Sequence, residues 1–205
     1  MIEHLDNLEG NLLFPVFLKI DQFPVLIVGG GNVGLEKLEA MINSNASARI
    51  TLVSKTIKEE IFALSKAFPS IRLVHRAFVP EDLDGVNLLV LATEDINTNA
   101  AIRQMARAKN ILTNVADTPA LCDFYLGSIV KKGNLKIGIS TNGKSPTFAK
   151  RLKQILIENL PDDVDELLEK LHNIRLSLKG DFQEKVKRLN AITADLVGKN
   201  KSEDK

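Results

Sequence analysis

The chain has 205 residues, 44% of them hydrophobic and 26% charged, with a formal net charge of +1, and is long enough to bury a real core. A balance so near neutral gives no electrostatic case for binding nucleic acid or an anionic membrane, which call for a concentrated basic excess. The single Cys122 excludes an internal disulfide framework and any multi-cysteine metal site, and no apolar run approaches the roughly 18 residues of a membrane span.

The first residues, "MIEHLDNLEGN", are acidic and polar, with neither the basic nor the apolar region of a secretory signal, so a cytoplasmic location is expected. Apolar, β-branched runs then alternate with helical stretches. The pattern predicts strands at 24–28, 48–54, 71–78, 87–93 and 111–117, with helices at 32–43, 58–67 and 98–109. Strands that are apolar almost throughout, separated by helices, imply a parallel sheet covered on both faces, the doubly wound α/β plan.

The rhythm changes after Asp117. Residues 124–141 carry two strand-like runs joined by "KKGN", a hairpin signal with Gly133 free to take positive φ. Ser145 and Pro146 then suit the cap and first turn of a helix. Helical patterning continues to about residue 199, interrupted at Leu160-Pro161 and at 179–181. Val164, Leu167, Leu168, Leu171 and Ile174 make an apolar stripe that reads as a core-facing side. Three parts follow: 1–113, a nucleotide-binding sheet domain; 114–145, a small hairpin region; and 146–205, a helical domain. The middle part is too small to bury a core alone, so it is expected to pack against another subunit.

The segment Gly29-Gly30-Gly31-Asn32-Val33-Gly34 fits G-x-G-x-x-G through Gly29, Gly31 and Gly34. Its context, a predicted strand before and a helix after, suits a pyrophosphate held by helix-end amides. The acid that usually ends the second strand and binds ribose hydroxyls is absent; Ser54 and Lys55 stand there. Ser54 can still bond a hydroxyl and Lys55 can face a 2′-phosphate, so these residues leave NAD against NADP open. "ATED", with Thr93 and Glu94, either passes beside a cofactor or caps the next helix.

"NVADTP" places Asp117 just past the fifth strand, at the sheet edge where ligands bind. It reads either as a general base or as an ordinary turn aspartate. "STNGKSP", with Thr141, Asn142, Lys144 and Ser145, suits an anionic group, and Lys150 and Arg151 follow on the helix. His4, His75 and His172 have no metal-ligand spacing, so no resident metal is expected.

"FPVFLKI", "VLIVGGGNVG", "LATED", "NVADTPALCDF" and "GNLKIGISTNGKSPTFAKRL", in this order, resemble the precorrin-2 dehydrogenase family, the N-terminal domain of siroheme synthases. The resemblance covers residues 12–160 closely and the helical tail more loosely. It implies a Rossmann domain, a dimerisation region and a helical domain. It further implies NAD-dependent oxidation of precorrin-2 to sirohydrochlorin, a homodimer, and Asp117 as the key general base. Some members also insert ferrous iron to give siroheme; whether this chain does stays open. A serine that is phosphorylated in the family falls on Thr141. The proline common three places after "CDF" is Gly127 here. The chain ends at Lys205 without a methyltransferase domain, so precorrin-2 is expected from a separate enzyme. Two other readings stand beside this one: a nucleotide-sensing regulatory domain, and a degenerate tetrapyrrole binder. The first normally keeps the ribose acid and lacks "ISTNGKSP".

Overall fold

The structure, a computed structural model, describes residues 10–178 and 182–198. Strands β1 (Val25–Gly30), β2 (Ile50–Ile57), β3 (Ile71–His75), β4 (Leu88–Leu91) and β5 (Leu112–Val115) form one sheet in the order β3-β2-β1-β4-β5. Every pairing in it is parallel. Helices α1 (Asn32–Ser44), α2 (Glu59–Ala67) and α3 (Ile96–Ala108) make the crossovers.

Period-two alternation on β1 sorts the two faces. Val25 and Ile27 pack with Leu38, Met41 and Ile42 of α1 and Ile61 of α2. Leu26 and Val28 pack instead with Leu83 and with Ile102 and Ala106 of α3. A strand covered on both sides has no polar face, which is why all six residues of β1 are buried. Each such buried Leu or Ile contributes roughly 1.5–3 kcal/mol.

Two strands end three residues away from the sequence expectation, more than the others do. β2 continues three residues past Ser54, because its pairing to β1 slips: Val28 faces Val53, but Gly30 faces Ile57. The polar run Ser54-Lys55-Thr56 hides this extension from an apolar pattern. β3 stops at His75, since Arg76 turns to grip Asp82 with Nη1–Oδ2 at 2.7 Å and Nη2–Oδ1 at 2.6 Å. That clip closes the 3-10 turn Pro80–Leu83.

The chain divides into two compact units. One holds the described residues up to Gly127 together with Ser140–Pro146; the other holds Ser128–Ile139 and the described residues from Thr147 on. Within the first unit, the segment following β5 folds back onto the sheet. Asp123 there exchanges bonds with Thr113: its amide donates to the Thr113 carbonyl at 2.7 Å, and its Oδ2 accepts from the Thr113 amide at 2.9 Å.

In the second unit β6 (Ser128–Lys132) and β7 (Leu135–Ile139) form an antiparallel hairpin turning at Gly133, φ 54°. Its inner face is covered by this chain's own α4 (Pro146–Asn159). Val130 and Ile139 are buried with Ala149, against Leu152, Leu156 and Leu160. The hairpin is also tied to α5 (Val164–Ser177), where Asp165 Oδ1 accepts from the Asn134 amide at 2.7 Å. A Cβ at Gly133 would lie 2.0 Å from the Asp165 carboxylate, so only glycine fits that turn. Along the expected stripe Val164 is buried, Leu167, Leu171 and Ile174 are half-buried, and Leu168 is exposed. α6 (Phe182–Gly198) completes the unit; the expected break at 179–181 and the last residues of the tail lie outside the described residues.

Candidate functional site

In the order β3-β2-β1-β4-β5 the winding reverses between β1 and β4, and open α/β sheets bind ligands at the carboxyl ends flanking such a reversal. Gly29, Gly30 and Gly31 end β1 at that point. Their roles separate when a Cβ is built on each. On Gly29 (φ 118°) it would lie 2.4 Å from the Ala92 carbonyl oxygen, and on Gly34 2.1 Å from that of Gly29. These two glycines are required by backbone packing. On Gly31 the Cβ meets nothing within 4 Å. Gly31 precedes α1, whose first turn has no side-chain cap, so the amides around Asn32 and Val33 face an open approach. A pyrophosphate fits there.

Two further residues of the sequence reading converge on this turn. The Ser54 side chain lies 3.0 Å from a Cβ placed on Gly30, and the Thr93 amide 3.1 Å from one on Gly29. No carboxylate stands at 54–56. The Lys58 ammonium instead donates to Asn32 Oδ1 at 2.8 Å, and the Lys58 amide to the Gly30 carbonyl at 3.0 Å. This cation at the glycine loop escaped the sequence reading, because the slipped register of β2 brings it there.

"ATED" forms a capping turn. Asp95 accepts from the Asn97 amide at 2.9 Å and from the Thr98 hydroxyl. The Thr98 bond, followed by backbone amides, holds the Asp95 carboxyl below the usual carboxylate range. Thr93 is held by Asn99, itself 3% exposed: the Thr93 hydroxyl donates to Asn99 Oδ1 at 2.7 Å, and Asn99 Nδ2 to the Thr93 carbonyl at 3.0 Å. Glu94 is exposed beside it.

Asp117 follows β5 at the same carboxyl edge. It is exposed, its φ of 56° lies in the left-handed region, and its carboxylate has no hydrogen-bond or ion-pair partner among the described residues. A turn aspartate that served only its own backbone would be bonded to it. The nearby Cys122 is tied to the backbone of this turn. Its Sγ accepts from the Val115 amide at 3.2 Å and donates to the Val115 and Thr118 carbonyls at 3.2 and 3.5 Å. Burial pushes its thiol up, away from the reactive thiolate.

The loop Ser140–Pro146 belongs to the same unit as Asp117. Thr141 to Lys144 is a tight turn with φ of 52° at Asn142 and 74° at Gly143, closed by the Lys144 amide on the Thr141 carbonyl at 3.0 Å. Positive φ at both central residues is the demand that Asn-Gly meets best. The Thr141 hydroxyl accepts from the Ser145 amide and donates to the Ser145 carbonyl, both at 3.2 Å. Lys144 is exposed and unpaired among the described residues. Arg151, also exposed and unpaired among them, lies on α4 in the other unit.

His75 Nε2 bonds the Lys55 carbonyl at 2.9 Å, His172 is exposed on α5, and His4 lies outside the described residues. Among the described residues no group of three His, Cys, Asp or Glu could hold a metal ion, and no helix is long and apolar enough to cross a membrane.

A parallel sheet with a glycine turn at its reversal point and an uncapped helix behind it defines a dinucleotide-binding protein of the α/β class. The profile of a family described as putative NAD(P)-binding matches residues 16–128, more than half of the chain, and the chain belongs to that family. A second family, described as sirohaem biosynthesis protein central, matches residues 132–159. The chain is 34% identical over 174 residues to a siroheme synthase of Pseudoalteromonas translucida, covering 85% of this chain and 34% of that protein. It is 39% identical over 148 residues to one from Nitrosomonas eutropha, covering 72% and 31%. The chain thus spans about a third of the length of these curated relatives. Among solved structures it resembles SirC, a precorrin-2 dehydrogenase, with 25% identity, a TM-score of 0.67, and coverage of 88% and 89% of the two chains.

Proposed function

We propose that the chain oxidises precorrin-2 to sirohydrochlorin, with NAD as hydride acceptor. Its relatives named siroheme synthase and its likeness to a precorrin-2 dehydrogenase support this. The observation that carries it is Asp117: an exposed, unpartnered carboxylate on a left-handed residue, at the carboxyl edge of the sheet that bears the open glycine turn.

The open side of Gly31 and the amides of Asn32 and Val33 would hold the pyrophosphate, with Gly29, Gly30 and Gly34 shaping the turn. Ser54 serves the adenosine ribose, and Thr93 and Glu94 line the passage toward the nicotinamide. The bound nicotinamide supplies an acceptor for the hydride that leaves a ring carbon of precorrin-2. Asp117 takes the accompanying proton as general base. Lys144 and Arg151 pair with peripheral carboxylates of the macrocycle, and Thr141, Asn142 and Ser145 present the polar loop that orients it. Asp117 is also the carboxylate available to take the inner pyrrole protons if ferrous iron enters sirohydrochlorin as a second substrate. We place the protein in the cytoplasm as a homodimer, with 114–145 as the dimerisation region between the sheet and helical domains. Incubation with precorrin-2 and NAD should raise NADH absorbance in step with loss of precorrin-2. Ferrous iron added to sirohydrochlorin in a parallel vessel reads the second activity separately.

A further inference from the structure

The turn that bears Asp117 does not hold its shape through Asp117 itself, because that side chain has no hydrogen-bond or ion-pair partner among the described residues. Its left-handed backbone therefore rests on what surrounds it, as a sparsely populated conformation must. Three sets of bonds meet there. Asp123 exchanges bonds with Thr113, so both ends of the segment 114–122 are joined across the edge of β5. Cys122 Sγ spans the inside of the loop from Val115 to Thr118, on either side of Asp117. The third set comes from a helix. Arg103 of α3 donates through Nε to the Leu121 carbonyl at 2.9 Å and through Nη2 to Asp123 Oδ1 at 2.6 Å. The Arg103 side chain is only 13% exposed. Burying a guanidinium is unfavourable unless its charge is met; Asp123 meets the charge here, while Arg103 Nη1 is buried without a hydrogen-bond partner among the described residues. Ala116, next to Asp117, continues the parallel ladder by donating to the Leu91 carbonyl at 2.9 Å.

We infer that Arg103, acting through Asp123 and the Leu121 carbonyl, is a positioning residue for Asp117. It fixes the loop's returning segment against α3, and so fixes where the left-handed turn presents its carboxylate. The pair Arg103–Asp123 lies inside one compact unit, and neither residue needs to touch precorrin-2 or the dinucleotide for this role. Two aspartates six positions apart thus divide the labour: Asp123 is spent on structure, and Asp117 is left for chemistry.

This inference rests on the dehydrogenase reading for its kinetic consequence, but not for its structural one. The test is a double-mutant cycle of Arg103→Met and Asp117→Asn, with hydrogen exchange and NAD affinity measured on the same proteins. In the parent background Arg103→Met should lower kcat roughly 10- to 100-fold, as displacement of a reacting group on the order of 1 Å does. NAD affinity should hold within about twofold. In the Asp117→Asn background, Arg103→Met should change kcat by less than about twofold, since the group it positions is already gone. Exchange of the Ala116 and Thr118 amides should quicken in Arg103→Met, while that of the Gly29–Gly34 turn stays the same. An unchanged kcat, or an equal loss in both backgrounds, would overturn the inference. If the parent protein does not oxidise precorrin-2, the dehydrogenase reading fails, and exchange alone decides the clamp: unchanged protection at 116–118 refutes it. Should Arg103→Met not fold, Asp123→Asn, which keeps the side-chain volume, replaces it in the same cycle with the same expectations.

Discussion

Gly31 and Gly34 occupy the same short motif, yet the structure asks opposite things of them. A methyl group at Gly34 would meet the Gly29 carbonyl, whereas one at Gly31 enters open space. Gly34→Ala should therefore lower stability by about 1–3 kcal/mol, as overpacking does, read as a fall in the denaturant midpoint. Gly31→Ala should leave stability within about 0.5 kcal/mol and weaken NAD binding by about tenfold or more, equivalent to 1.4 kcal/mol. Equal stability losses would deny the division of roles. The G-x-G-x-x-G pattern named all three motif glycines, but a pattern cannot say which serve packing and which serve a ligand. Nor could it find Lys58, because the contact with Asn32 arises from a register slip that leaves no trace in hydropathy. Asp117 was legible only as one of two readings from its chemistry. What separates it from Asp123 is partnership, which is a property of three dimensions.

At the scale of elements, short bonds join strand ends to the turns beyond them. Asn99 ties α3 to Thr93, two residues past β4, and it is buried. Asn99→Ala should cost about 1–3 kcal/mol, since it removes the donor to the Thr93 carbonyl and the shorter of the Thr93 hydroxyl's two bonds, and a thermal melt will record it. The Arg76–Asp82 clip at the end of β3 has a pH signature. The Arg76 hydrogen bond, aided by the Val79 amide and opposed by partial burial, holds Asp82 below the usual carboxylate range. A depressed carboxyl contributes stability that is present above its unfolded value and lost as pH falls through its folded one. Melting temperature should thus decline on acidification from pH 5, and Asp82→Asn should flatten that decline; an unaltered slope would show the clip to be inert. The five strands and their crossovers were legible because parallel strands buried on both faces are apolar throughout. The ends of β2 and β3 were not, since polar residues close each of them through tertiary bonds.

For the whole molecule, the parallel sheet followed by a hairpin and helices was readable in order, but the contacts that tie the hairpin and the loop after β5 in place were not. The loop after β5 joins the sheet through Asp123 and Thr113, and the hairpin joins α4 through Val130; neither contact has a local sequence signal. The dimer proposed through 114–145 has a further apolar surface to draw on. Leu12, Phe14, Val16 and Phe17 offer one, at 75, 86, 59 and 73% exposure along a single segment, larger than scattered surface residues require. Sedimentation at micromolar concentration should give a dimer, and Phe14→Ser with Phe17→Ser should shift it toward monomer. A monomeric parent would contradict the homodimer.

The central claim is that one carboxylate beside the dinucleotide site carries the oxidation. It is tested most directly by comparing the parent with Asp117→Asn, supplied with precorrin-2 and NAD and followed by NADH absorbance. The account predicts turnover by the parent and a fall in kcat of about 10²- to 10⁴-fold in the variant, the usual worth of a general base, with NAD affinity retained. Full activity in Asp117→Asn, or no precorrin-2 oxidation by a folded, NAD-binding parent, would contradict it.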